Sequence, residues 1–84
     1  MADEGLDAVR AYYEVARVGD VDRQELVAGL LASLREAVTR GEVDDQLARS
    51  YELLAAERAL LEALIAIADQ QLRIIAERGD ADSG

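Results

Sequence analysis

The stretch from Asp44 to Arg78 constrains the fold of this chain more than any other feature. It contains no Gly, Pro or Asn, and its apolar residues recur at alternating intervals of four and three. This spacing predicts one amphipathic helix about 50 Å long, at about 1.5 Å per residue. We expect the helix to stay straight through Asp69-Gln70-Gln71, with a bend there as the alternative. The predicted seam consists of Leu47, Tyr51, Leu54, Arg58, Leu61, Ile65, Ala68, Leu72 and Ile75.

A second apolar row lies beside this seam on the same helix. Together the two rows make a band of apolar residues wider than a two-stranded coiled coil requires. A face of this width is typical of a helical bundle, in which each helix has neighbours on two sides. The second row consists of Leu53, Leu60, Leu64, Ile67 and Ile74.

Two similar tetrapeptides divide the chain into three predicted helices. Gly19-Asp20-Val21-Asp22 and Gly41-Glu42-Val43-Asp44 each combine a helix-ending Gly with an Asp suited to cap the next helix. We therefore predict helices at about 3–18, 22–40 and 44–78, within a single helical domain of residues 1–79. Residues 80–84 are predicted to form a flexible acidic tail. The apolar face of the first helix is predicted at Leu6, Val9, Tyr13 and Ala16, and that of the second at Val27, Leu30, Leu31, Leu34 and Val38.

The predicted helix lengths differ, and this difference predicts self-association. A second helix of about 19 residues reaches only about 28 Å, and so covers the third helix only to about Leu61. The uncovered apolar end would form a patch that monomers rarely expose. The predicted fold class is therefore all-α, a three-helix chain forming an oligomeric bundle. The predicted oligomer interface comprises Leu60, Leu61, Leu64, Ile65, Ile67, Ala68, Leu72, Ile74 and Ile75.

Polar residues interrupt the apolar rows of the last helix. Arg58 occupies a seam position next to Glu57, and Gln71 interrupts the second row. A buried Arg requires an acidic partner. These residues are interpreted either as a polar pair that sets the register of the oligomer, or as a site for a carboxylate or phosphate. The predicted buried polar set is Arg58, Glu57, Gln71 and Tyr51.

The residue types present exclude several kinds of chemistry. The chain has no Cys and no His, so disulfides, the common zinc and haem ligands, and Cys–His or Ser–His nucleophiles are excluded. No Gly-rich phosphate loop is present. We predict no catalytic residue, no metal site and no cofactor.

The net charge of −9 argues against binding to nucleic acid or to anionic membranes. The amino-terminal residues are acidic and polar, where a signal peptide would be basic and then apolar. No apolar stretch is long enough to span a bilayer. We therefore expect a soluble cytoplasmic protein.

Three functions are consistent with these patterns. The first is a non-enzymatic structural or interaction protein whose partner is itself, as a homodimer or alternatively a tetramer. The second is an acidic inhibitor or regulatory adaptor that binds a basic protein surface. The third is a small-ligand-binding bundle that uses Arg58. The absence of Lys and the repeated turn chemistry fit either a natural chain or an engineered bundle. The acids that would serve the second function are Asp20, Asp22, Glu42, Asp44 and Asp45.

Overall fold

The chain folds into two long helices that pack side by side. The structure, a computed structural model, describes the backbone of residues 4–83 and the side chains of residues 4–79. Helix α1 spans Glu4–Thr39 and helix α2 spans Asp45–Ser83. The described residues are all-α, as predicted, but the prediction of three helices is wrong.

The turn between the helices has the predicted chemistry. Gly41 has a φ of 80°, a left-handed conformation that costs Gly little because it has no Cβ. The Gly41 amide donates to the Val38 carbonyl at 3.0 Å, and the Glu42 amide donates to the Ala37 carbonyl at 2.9 Å. This pair of bonds is a Schellman motif, which satisfies the last carbonyls of α1. Asp44 Oδ1 accepts from the Leu47 amide at 2.7 Å and so caps α2.

The similar tetrapeptide at Gly19 does not end a helix. α1 continues through residues 19–22, and Gly41 alone has a positive φ among the described residues. The physical reason lies in the packing. The three-and-four spacing from Arg17 through Asp20 and Gln24 keeps its phase, so a continuous α1 faces α2 throughout. The cost of about 1 kcal/mol for a Gly inside a helix is small against that packing.

The buried core follows the predicted seam of α2. Leu61, Ala68 and Ile75 are at most 4% exposed, and Val27 and Leu31 are the buried residues of α1. Tyr51 and Leu54 pack against the cluster of Val27, Leu31 and Leu61. The partner that covers the seam is therefore α1 of the same chain.

Polar contacts fix the antiparallel register of the two helices. Arg17 Nε lies 2.5 Å from Asp69 Oδ1, and Gln24 Nε2 donates to Glu62 Oε1 at 3.4 Å. The step of seven residues forward along α1 matches a step of seven residues backward along α2. The two helices therefore stay in register over this heptad.

A continuous α1 removes the predicted length difference. Its 36 residues nearly match the 39 residues of α2, so in-chain cover extends beyond Leu61 to Ile75. α2 is also continuous through residues 69–71 and ends at Ser83 rather than at residue 78. The backbone of residues 80–83 is thus helical where a tail was predicted, and Gly84 lies outside the described residues.

Candidate interaction surface

The two helices present large apolar side chains on one side of the hairpin. On α1 the exposed row has one pair of large apolar residues near the amino terminus and a second pair just after Arg23, and on α2 a more continuous row includes Glu57. These side chains are between 36% and 71% exposed. We call this surface the apolar face. It consists of Val9, Tyr12, Leu26 and Leu30 on α1, and of Leu53, Leu60, Leu64, Ile67 and Ile74 on α2.

An ion pair shows that the two rows adjoin each other. Arg23 belongs to the α1 row, three residues before Leu26, and Glu57 belongs to the α2 row, three residues before Leu60. The Arg23 guanidinium donates from Nε to Glu57 Oε2 at 2.5 Å. Because this bond joins the two rows, they lie on the same edge of the helix pair and form one surface.

The same contact accounts for the charge state of Arg23. Its hydrogen bond to Glu57, followed by the charge of that carboxylate, raises the pKa of Arg23 above its ordinary value. A raised pKa means that folding favours the charged guanidinium. The stability contributed by this contact is therefore fully present at any pH below the pKa of Arg in the unfolded chain, and it is lost only as the pH rises through the pKa of Arg23 in the folded chain. No pH dependence near neutrality follows from Arg23.

The opposite side of the hairpin has a different composition. The contacts of Arg17 with Asp69 and of Gln24 with Glu62 lie along this edge. On α2, the exposed apolar residues of this side are alanines. We call this surface the opposite face. Its exposed residues on α2 include Ala55, Ala59, Glu62, Ala63, Ala66 and Ala76.

Two large apolar residues lie on the outer side of α1, away from the apolar face. Val15 is 74% exposed and Val18 is 60% exposed. They are flanked by Glu14 and Asp20. Scattered exposed aliphatic residues of this kind are ordinary on a protein surface.

The predicted interface residues separate into two groups in the structure. Leu61, Ala68 and Ile75 are buried within the chain, and Ile65 and Leu72 are half-buried on the same seam. Of these five, Ile65, Leu72 and Ile75 were expected to lack in-chain cover, and that expectation is wrong because α1 covers them. The other four remain exposed on the apolar face: Leu60, Leu64, Ile67 and Ile74.

The predicted buried polar set is not one site. The side chain of Arg58 is 49% exposed and lies 3.4 Å from Glu62, so it is not a core Arg. Glu57 pairs with Arg23 on the apolar face. Tyr51 packs near the core. Gln71 is half-buried, 13 residues from Arg58 and therefore about 20 Å away along the helix.

The acids proposed for an adaptor function do not form a cluster. Asp20 and Asp22 lie in the middle of α1, whereas Glu42, Asp44 and Asp45 lie at the turn. Asp20 is 19 residues from the end of α1 at Thr39, which corresponds to about 28 Å of helix. The continuous α1 thus separates two groups of acids that a three-helix fold would have placed in two loops.

Within residues 4–79, no group of three or more His, Cys, Asp or Glu side chains is arranged to hold a metal ion. In the part of the chain that the structure describes, neither helix has the length and hydrophobicity needed to cross a membrane.

The sequence interpretation missed the α1 half of the apolar face. Val9 and Leu30 were assigned to buried stripes of two separate helices, yet they are 36% and 53% exposed. A signal was present in the sequence. Val9, Tyr12, Leu26 and Leu30 share one three-and-four phase, provided that α1 is read as a single helix through Gly19.

Comparisons with protein-family models, with curated proteins and with solved structures found no match to this chain.

Proposed function

We propose that this chain is a self-associating structural or interaction protein, in which two hairpins pack through their apolar faces as a four-helix bundle. The observation that supports this proposal is the apolar face itself. Nine large apolar side chains, each at least 36% exposed, lie on one side of the molecule. Monomeric proteins rarely expose large apolar patches.

The dimensions of the single chain support the same proposal. A compact monomer of 9.1 kDa exposes about 4,900 Å², whereas this chain exposes 6331 Å². Its radius of gyration is 18.6 Å, compared with about 12 Å for a compact domain of its length. The chain therefore exposes more surface than a compact monomer of its mass, as expected for one subunit of an oligomer.

The core of the hairpin is small for its length. Five hydrophobic residues are buried among those described: Val27, Leu31, Leu61, Ala68 and Ile75. Burying a large aliphatic side chain stabilises a fold by about 1.5–3 kcal/mol. Association would bury the apolar face and so add stability to the hairpin.

The side of the molecule that carries the apolar face has an outline large enough for a stable dimer. The two larger extents of the molecule, 61 Å and 17 Å, multiply to about 1,000 Å². A standard protein interface buries about 800 Å² on each partner. A two-fold axis would place the same surface on both chains, which is the commonest arrangement in homo-oligomers.

The charge distribution favours a second copy as the occupant. The chain carries a net charge of −9, so two copies repel each other unless their contact surfaces are neutral. Between Val9 and Leu30, and between Leu53 and Ile74, each row of the apolar face carries one charge. These charges belong to Arg23 and Glu57, which neutralise each other in an ion pair. The acidic residues of the opposite face would stay in solvent.

Sedimentation equilibrium on adjacent substitutions tests the proposal. Ile67→Asp places a charge on the apolar face, and Ala66→Asp places the same charge on the exposed side of α2 away from it. We expect the wild type and Ala66→Asp to sediment at twice the 9.1 kDa chain mass, and Ile67→Asp at the chain mass. A wild type that stays monomeric at high micromolar concentration would refute the proposal. Equal dissociation by both variants would refute the role of the apolar face.

A further inference from the structure

A second candidate site lies on the opposite face, near the turn. A groove of about 440 Å³ runs between the helices there, within the size range of small-molecule sites. Its walls are mainly aliphatic, with one Arg, one Tyr and one Glu at the margin. It is lined by Leu34, Arg35, Val38, Val43, Leu47, Ala48, Tyr51 and Glu52.

A second cleft, lined by two Arg and one Glu, continues from this groove. Arg35 and Tyr51 line both spaces, and the cleft adds Arg58 on its far side. The cleft measures about 280 Å³ and is also lined by Leu31, Ala55, Ala59 and Glu62. Together the two spaces form a trough with an aliphatic part next to the turn and two guanidinium groups beyond it.

The two guanidinium groups differ in their partners. Arg58 contacts Glu62 at 3.4 Å, and both side chains are about half exposed. Four arginines have no ion-pair partner among the described residues, although the chain carries twice as many acids as bases, and Arg35 is the one of these four that lines the trough. In a chain with this excess of acid, an Arg without a carboxylate next to an aliphatic groove is the natural partner of an external anion.

We propose that this trough binds a small amphipathic carboxylate, with the aliphatic part of the ligand along Leu34, Val38 and Leu47. The ligand carboxylate accepts hydrogen bonds from Arg35 and from Arg58. Glu52, at the margin of the groove, and Glu62 disfavour a ligand that carries more negative charge. The trough faces away from the apolar face, so a dimer that forms through that face leaves the trough open.

Calorimetric titration with octanoate tests this inference, with 1-octanol and acetate as the matched ligands. Octanol keeps the chain of the ligand without the charge, and acetate keeps the charge without the chain. We expect octanoate to bind about tenfold more tightly than octanol, because only its carboxylate accepts charge-assisted hydrogen bonds from the two guanidinium groups. Acetate is expected to give no measurable binding. Equal affinity for octanoate and octanol, or no binding of octanoate, would overturn the proposal.

Substitutions locate the binding site. Arg35→Gln and Arg58→Gln are each expected to weaken octanoate binding about fivefold or more, because each removes one charged contact. Arg49→Gln is the control, since Arg49 is on α2 near the turn but does not line the trough. An equal loss in the Arg49 variant would show only a general charge effect and would overturn the site.

The monomeric variant separates this inference from the proposed function. Ile67→Asp should keep the octanoate affinity of the wild type, because Ile67 is on the apolar face. Amide chemical-shift changes on adding octanoate should cluster at residues 34–38 and 47–58. Shifts that cluster instead at Leu60, Leu64 and Ile67 would show that octanoate coats the apolar face, and would overturn the trough as its site.

Discussion

The apolar face and the opposite face are built from the same two helices, yet they differ in the size of their apolar residues. On α2, the apolar face carries Leu60, Leu64 and Ile67, whereas the opposite face carries Ala59, Ala63 and Ala66. An exposed Ala favours helix formation and exposes little apolar surface to solvent. Large aliphatic residues exposed on one face add nothing to helix formation beyond what Ala gives. The difference teaches that helix formation explains the alanines of the opposite face but not the large aliphatic residues of the apolar face, whose burial by a second copy is what we propose.

The buried seam of α2 lies between these two faces, and a substitution in it provides a comparison for substitutions on either face. Leu61 is 4% exposed and Leu60 is 58% exposed, although the two residues are neighbours in sequence. Leu61→Ala should lower the free energy of unfolding by about 2–5 kcal/mol, because it leaves a cavity in the hairpin core. Denaturant unfolding of Leu61→Ala and Leu60→Ala at several protein concentrations measures the effects.

The two variants should respond differently to dilution. The loss in Leu61→Ala should persist in the dilute protein, whereas the loss in Leu60→Ala should shrink when the dimer dissociates. A loss in Leu60→Ala that is independent of concentration would mean that Leu60 contributes to the monomer alone.

The α1 half of the apolar face can be tested on its own. Leu30→Ser should raise the dissociation constant of the dimer by about 10- to 100-fold, because each substitution removes a buried leucine from both copies. Ala32→Ser is the control, since Ala32 is exposed on α1 away from the apolar face. Size exclusion with light scattering over a dilution series gives the dimer dissociation constants of both variants. Similar constants for the two variants would confine the interface to α2.

The two similar tetrapeptides provide a test of the continuous α1. A Cβ at either Gly meets no atom within 4 Å, but only Gly41 has a positive φ. Gly41→Ala should therefore destabilise the fold by about 1–2 kcal/mol. Gly19→Ala should stabilise it by about 0.5–1 kcal/mol, because Gly19 is in the interior of α1. Thermal unfolding of both variants gives the comparison, and a destabilised Gly19→Ala would favour a break in α1.

The polar contacts of the opposite face should give the smallest effect. Arg17 and Asp69 are each more than 40% exposed, so solvent and salt screen their attraction. Arg17→Gln should cost less than about 1 kcal/mol in the free energy of unfolding. Denaturant unfolding in low and high salt measures this. A larger loss that persists in high salt would show that Arg17 supports the packing of the helices and not only a surface ion pair.

The sequence predicts α2 better than α1, for a physical reason. The seam from Leu47 to Ile75 has nine consecutive positions in one phase, and the structure buries or half-buries all of them except Arg58. Gly41 and Asp44 are also placed correctly, because a positive φ and a cap bond are local properties. These features depend on neighbours in the chain.

The errors arise where the outcome depends on packing between distant residues. Gly19 has the same local signals as Gly41, and only the match of α1 to the full length of α2 decides that the helix continues. The break assumed at Gly19 then exaggerated the uncovered end of α2. It also hid the apolar row of α1, so that Val9 and Leu30 were assigned to the core. Arg35 was missed because its trough is assembled from both helices and the turn.

The central claim is that a second copy of the chain covers the apolar face. An isotope-filtered NOE experiment on a mixture of labelled and unlabelled chains measures this contact directly. We predict intermolecular NOEs to the methyl groups of Leu60, Leu64, Ile67 and Ile74, and none to those of Ala59, Ala63 and Ala66. Intermolecular NOEs to the alanines, or none at all at high micromolar concentration, would contradict the account.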